Sequence, residues 1–180
     1  MNAIHTLEHE HEAILFGIGL LEKVSVVAAA GDARAKADLP ELLRFLRGFA
    51  DTCHHGKEEG LLFPAMEAAG VPKVDGPLGV MLEEHEEGRS YLKGMSAALS
   101  AADYGGAFKR NLTAYATLLR AHIDKENAIL FPLGSQILGS DRLERMGADF
   151  DAFEADVMGK GEHERLHAML EEFSMRYGQG

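Results

Sequence analysis

Tryptophan is absent from the 180 residues, cysteine occurs once and proline five times. The lone Cys53 cannot close an internal disulfide, which fits a reducing cytosol. Basic residues are scarce as well: 18 Lys and Arg stand against 29 Asp and Glu, a formal charge of −11. That field repels phosphate backbones and anionic bilayers, and no basic patch interrupts it, so neither nucleic acid nor a membrane surface is expected as a partner. The apolar stretch Ala13 to Leu21 is too short to cross a bilayer and follows acidic residues and histidines instead of a basic leader. No segment alternates apolar and polar residues as a strand would. No Ser-His-Asp set, Cys-His set or phosphate-binding loop appears. The expectation is a soluble, cytoplasmic protein.

What is present reads as helices punctuated by Gly, Pro and Asp. With 46% hydrophobic and 26% charged residues, the chain is long enough for one domain over residues 1–180 with a sizeable core. A stripe at helical spacing (Ile4, Leu7, His11, Ile14, Leu15, Ile18, Leu21) predicts a first helix over about 2–30, ended by Gly31-Asp32. Asp38, followed by Pro40 and Glu41, reads as the N-cap of a second helix running from Leu39 to Ala68. A third is expected over about 78–101 after the loop "KVDGPLG". A fourth, capped by Asp103, is expected over 105–133, and a last one over about 140–176. This is an all-α chain: an antiparallel four-helix bundle over about 2–136 with an additional C-terminal helix, an architecture that builds metal sites in its core.

Nine histidines and eight methionines are the compositional excess. The methionines read as core filler; the histidines fall into a repeat. "HHGKEEGLLFP" (His54 to Pro64) and "HIDKENAILFP" (His122 to Pro132) align on Leu62 and Leu130. That alignment matches His54 with His122 and Glu58 with Glu126, while His55 faces Ile123 and Glu59 faces Asn127. Residues at i and i+4 share one helix face, so each phrase offers an imidazole and a carboxylate in one direction. Upstream, "LEHEH" and "MLEEH" place His11 against His85. His55 and Glu59 read as flanking positions with at most a supporting role. Glu8, Glu10, Glu12, Glu83, Glu84, Glu86 and Glu87 read as solvated, His5 and His9 as exposed, and Cys53 as a small core residue. Tyr115, two turns before His122, either lines the pocket or simply packs. The Leu-Phe-Pro tripeptides read as a kink or 3₁₀ turn near a helix end.

Four histidines and two glutamates at the centre of one bundle suit cations, because two buried carboxylates side by side are costly as bare anions. Mixed imidazole and carboxylate donors favour a pair of iron or manganese ions over a thiolate-type zinc site. The set His11, His54-x-x-x-Glu58, His85, His122-x-x-x-Glu126, with its "KEEGLLFP" and "KENAILFP" contexts, resembles the bacterial hemerythrin-like family, the HHE cation-binding domain. The resemblance implies terminal ligation by the four histidines and bridging by Glu58 and Glu126 of an oxo- or hydroxo-bridged pair of Fe ions, ahead of Mn or Zn. The chain departs from the oxygen-carrying hemerythrins in two places. Arg89 stands four residues after His85 where they have a second histidine, and Glu126 follows His122 at four residues where they have Asp at five. His163 and His167 in "GEHERLH" share one helix face. Either one of them supplies the missing histidine, or both are solvated residues of a surface helix. The expected function is binding or turnover of a small oxidant (O2, NO or hydrogen peroxide), with catalase- or peroxidase-like activity one form of it. The alternative is a non-enzymatic iron or oxygen sensor or metal-binding module.

Overall fold

The computed structural model describes residues 2–178, which form helices and no strand. Helix α1 spans Ala3–Ala29, with the Asn2 side chain accepting from the His5 amide at 3.0 Å as its cap. Helix α2 begins as Ala33–Phe45, opens into π-helical turns over Leu46–His55 and Glu58–Leu62, and finishes as Phe63–Ala68. Helix α3 is Pro77–Ser100. Helix α4 starts as Ala107–Lys125, widens into a π-helical turn over Glu126–Leu130 and finishes as Phe131–Leu138. Helices α5 (Ser140–Val157) and α6 (Glu162–Tyr177) complete the chain.

The order in which the helices feed two apolar clusters gives the topology. One cluster holds Leu7, Phe63, Met66, Met81 and Phe131; the other holds Ile14, Ile18, Phe45, Phe49, Met95 and Leu112. Helix α1 passes from the first to the second, α2 returns, α3 passes again and α4 returns, so the bundle runs up, down, up and down. Helix α3 lies along α4 and α1 along α2. Each helix crosses between the clusters at its polar motif, so the motifs meet in one layer with apolar packing above and below. Helix α5 covers one end through Leu143, Met146 and Phe150, and α6 the other through Leu166, Leu170 and Phe173.

Three local expectations are corrected. The C-terminal helix expected over 140–176 is two helices, because Gly159 and Gly161 both adopt φ of 83°, a left-handed backbone that L side chains disfavour and that no α-helix contains. Helix α2 starts two turns earlier than expected: Asp32 is its cap, accepting from the Ala35 amide at 2.7 Å, and Pro40 lies inside it. Burial of Ala35 and Leu39 extends the apolar face backward, and a fully buried Leu contributes about 1.5–3 kcal/mol, comparable to the cost of about 3 kcal/mol for an interior proline. Asp38 instead accepts from Arg176 and from the Tyr177 hydroxyl, fastening α2 to α6. Asp103 does cap α4, accepting from the Gly106 and Ala107 amides at 2.8 and 2.7 Å.

The third correction concerns Leu-Phe-Pro. Neither copy forms a 3₁₀ turn. Each stands where a π-helical turn, begun at Glu58 or Glu126, hands back to α-helix with Pro64 or Pro132 in the first turn. A restarting helix needs no bonded N–H there, so proline is tolerated. π-Bulges of this kind concentrate at functional sites.

Candidate metal centre

Between the apolar clusters lie His11, His54, His55, Glu58, His85, His122 and Glu126, all buried. Their donor atoms form two groups, each with its atoms within 4.8 Å of one another: His55, Glu58, His85 and His122 in one, and His11, His54, Glu58 and Glu126 in the other. Glu58 belongs to both. Its Oε1 lies 3.6 Å from His54 Nε2 and its Oε2 3.5 Å from His85 Nε2. Glu126 spans similarly, with Oε2 at 3.2 Å from His11 Nε2 and Oε1 at 3.2 Å from His122 Nε2. The Nε2 atoms of His85 and His122 are 3.1 Å apart.

Each of these four histidines is held from behind. His54 Nδ1 donates to Glu10 (2.9 Å) and His122 Nδ1 to Glu84 (2.9 Å). His85 Nδ1 donates to Glu59 (2.7 Å) and His11 Nδ1 to the side-chain Oδ1 of Asn127 (2.9 Å). With the proton placed on Nδ1, every Nε2 lone pair faces the centre, the arrangement metal-ligating histidines adopt. The pattern is twofold. Glu10 and Glu84, each just before His11 or His85, also accept from Lys57 (2.5 Å) and Lys125 respectively. The phenylalanines of the two Leu-Phe-Pro tripeptides are equivalent too: Phe131 stacks on His11 at 5.3 Å and Phe63 on His85 at 5.9 Å between centroids. These rings keep water from the imidazoles, a role the sequence reading did not give them.

The electrostatics are those of a site built for cations. Burial, then the neighbouring Glu126, pushes the Glu58 carboxyl well above the usual range. Burial pushes Glu126 the same way, but His122 and His11 outweigh it and hold this carboxyl well below. Burial takes His54 down to about 4, against the opposing hydrogen bond from Glu10. It lowers His55 well below the ordinary value, and His85, His54 and His122 add to the effect. His122 is raised, because Glu126 and Glu84 outweigh its burial. Among the described residues, His11 Nε2, His54 Nε2, both nitrogens of His55 and all four carboxylate oxygens of Glu58 and Glu126 are buried without a hydrogen-bond partner. Such atoms each cost about 1–3 kcal/mol when left unpaired. They are nitrogen and carboxylate donors converging on two points, and they fit divalent or trivalent metal ions.

Not every residue stands where the sequence reading put it. His55 is no flanking residue: it is buried, stacks on His85 at 3.9 Å and joins the first group. The π-helical turn explains this, since each residue there rotates by less than the roughly 100° of an α-helix, and His54 and His55 both face inward. Glu10 is buried, and Glu59 and Glu84 are partly so, each hydrogen-bonded to a centre histidine where a solvated or flanking carboxylate was expected. His163 and His167 belong to neither group; they pair with each other, and His163 with Glu154, on the outside of the bundle. Arg89 donates to Asp51 and Glu59 at 2.8 and 2.6 Å, supporting the carboxylate behind His85. Tyr115 packs in the apolar cluster against Gly88, with its hydroxyl buried and unpartnered among the described residues. Cys53 is buried, and burial pushes its thiol up to about 12, so it is inert as a nucleophile. His5 and His9 are exposed.

A bundle of antiparallel helices whose central layer is lined by histidines and two glutamates defines a helical cation-binding protein. The chain belongs to the hemerythrin family: the family model for the hemerythrin HHE cation binding domain matches residues 2–134. Uncharacterised proteins of Mycobacterium bovis and Mycobacterium tuberculosis are 24% identical to it over 145 residues, covering 74% of this chain and 56% of theirs. The chain thus spans about half the length of the curated relatives it matches. No solved structure matches it. Among the described residues no helix is long and apolar enough to cross a membrane.

Proposed function

We propose that the chain binds two iron ions through His11, His54, His55, Glu58, His85, His122 and Glu126, and uses them to bind or turn over a small oxidant: O2, NO or hydrogen peroxide. The observation that carries this reading is the convergence of unpartnered, fully buried nitrogen and carboxylate atoms on two adjacent points that share Glu58. When bound, an iron pair supplies two electrons to an oxidant or takes them back. The rest is the protein's own work. The outer acceptors Glu10, Glu59, Glu84 and Asn127 fix the imidazole tautomers and raise their donor strength. Glu58 and Glu126 would offset the charge of the cations. The apolar clusters and the two stacked phenylalanines exclude water and large reductants, which restricts access to small molecules. The two groups are unequal, with three imidazoles beside Glu58 in one and two imidazoles beside both carboxylates in the other.

In the mycobacterial relatives a segment of this kind occupies about half of a longer chain, which favours, as the alternative, a non-enzymatic sensing or metal-binding module. Metal analysis with the visible spectrum of the protein as isolated tests the first reading, with about two irons per chain expected. Glu58→Ala should remove both ions, since Glu58 serves both groups; zinc in the wild-type protein would overturn the iron reading, and one retained ion in the variant the shared-carboxylate assignment. Oxygen evolution on adding hydrogen peroxide separates turnover from binding.

A further inference from the structure

Outside the bundle centre one other set of histidines is drawn together. His163 and His167 lie one turn apart on α6, with their Nε2 atoms 2.8 Å apart and ring centroids 4.7 Å apart. His163 Nδ1 donates to Glu154 Oε1 on α5 at 2.8 Å. The other oxygen of Glu154 accepts from Lys57 at 2.8 Å. Glu154 is therefore held as an anion, its pKa brought down to about 2, first by His163 and then by Lys57. The proton of His163 is committed to Nδ1, and its Nε2 lone pair faces the same point as His167 Nε2. The Phe49 ring lies 5.3 Å from His163 and 5.9 Å from His167, an apolar floor on one side. The other side is open to solvent, with the His163 side chain 34% exposed against 4% or less for the histidines of the centre.

The construction resembles that of His85 and His122, whose Nε2 atoms also face each other and whose Nδ1 atoms are both committed to carboxylates, as that of His163 is here. We infer that His163 and His167 form a separate, mononuclear site for a borderline divalent cation of the Zn²⁺, Cu²⁺ or Ni²⁺ class. Two imidazoles at i and i+4 bind as a chelate from one helix face, and Glu154 orients the first imidazole in the carboxylate–histidine–metal manner. The donors are neutral nitrogens, which select these ions over Mg²⁺ or Ca²⁺. Water completes the coordination on the exposed side. Without a cation, one proton shared between the two nitrogens satisfies the pair, and the ion takes that proton's place.

A chain of hydrogen bonds, with no ligand in common, joins the outer site to the inner one. Glu154 and Glu10 are the two carboxylates on buried Lys57, and Glu10 holds His54. Helix α5 is brought over this lysine partly because Gly56 carries no side chain: a Cβ there would lie 2.8 Å from the Phe153 ring.

Calorimetric titration of the protein, carrying its central metal, with Zn²⁺ alone tests the inference. Wild type should bind one further Zn²⁺ per chain with the central-metal spectrum unchanged. His167→Ala, at a half-buried surface position, should abolish that event while leaving the spectrum and circular dichroism as in wild type. Glu154→Gln should weaken it about 10–100-fold, the usual effect of losing such a supporting carboxylate. No further Zn²⁺ in wild type, or the same stoichiometry and affinity in His167→Ala, would overturn the site. Either result leaves the reading of the bundle centre untouched, because no residue is shared between the two.

Discussion

Glu10 and Glu84 hold equivalent places in the two halves of the bundle, so alanine at each separates what the carboxylate does for its histidine from what it does for its lysine. Glu10→Ala strips His54 of its acceptor and leaves Lys57, only 1% exposed, with Glu154 as its remaining partner. Removing one partner of a buried ion pair costs about 3–5 kcal/mol, and with Glu154 still in place the expected loss is about 3 kcal/mol. Glu84→Ala strips His122 in the same way, but Lys125 is 38% exposed and water replaces the lost contact. Its cost should fall in the range of about 0–1 kcal/mol measured for surface pairs. Urea unfolding of the metal-free proteins at pH 7 reads this difference, and in a thermal melt each kcal/mol should move the midpoint by roughly 2–4 °C for a chain of this size. Metal affinity should fall in both variants, by about 10–100-fold, because each loses the group that orients a centre histidine. Equal losses of stability would refute the account of Lys57 as a buried cation dependent on Glu10. An unchanged affinity in either variant would refute the orienting role.

His55→Ala should lower metal affinity and alter the visible spectrum while changing the stability of the metal-free protein by less than about 2 kcal/mol, since the cavity formed is offset by removing two buried unpaired nitrogens. An unchanged spectrum would reduce His55 to packing. The metal-free protein should also be acid-sensitive in a definite window. His54 falls from an ordinary 6.5 to about 4 through burial, and His55 and His85 are lowered as well. A depressed histidine binds its proton more readily in the unfolded chain, so its stability is fully present above about 6.5 and is lost as pH falls toward 4. His122 and the Glu58 carboxyl, both raised, oppose this, while the lowered carboxyls of Glu126, Glu10 and Glu154 add to it at the acid end. Stability that stays flat from pH 6.5 to 4 would contradict the burial of these rings, and His54→Gln should shallow the slope.

The helices and the meeting of the motifs were legible because both rest on periodicity, and the repeat amplified it. Leu7, His11, Ile14 and Ile18 share one face whether or not a metal is considered. What was not legible depended on departures from 3.6 residues per turn. His55 lies off the α-helical face of His54 and Glu58, and only the widened turn over Leu46–His55 brings it in. The outer carboxylates were hidden for another reason: a glutamate beside a histidine in an acidic segment reads as solvated. A signal existed, since Glu10 and Glu84 recur in register before His11 and His85, as Lys57 and Lys125 do before Glu58 and Glu126. Recurrence alone would have selected too many, because Glu12 and Glu86 recur as well and are 77% and 74% exposed.

The duplicated plan matters most where it is broken. His55 faces the centre where its counterpart Ile123 packs in the apolar cluster, which places three imidazoles in one group and two in the other. Glu59, an anion, backs His85, while its counterpart Asn127, a neutral amide, backs His11. An anionic acceptor makes an imidazole the stronger donor, so both substitutions act in one direction and enrich the side of His55, His85 and His122. Helix α5 adds the third break by burying Lys57 and leaving Lys125 at the surface. Two ions bound by equal halves would be equivalent, and neither would be the obvious place for an incoming ligand. The first two changes remove that equivalence by making one group richer in imidazole and the other richer in carboxylate, at four side chains each, and the third ties the lysine of the His54 half through Glu154 to His163.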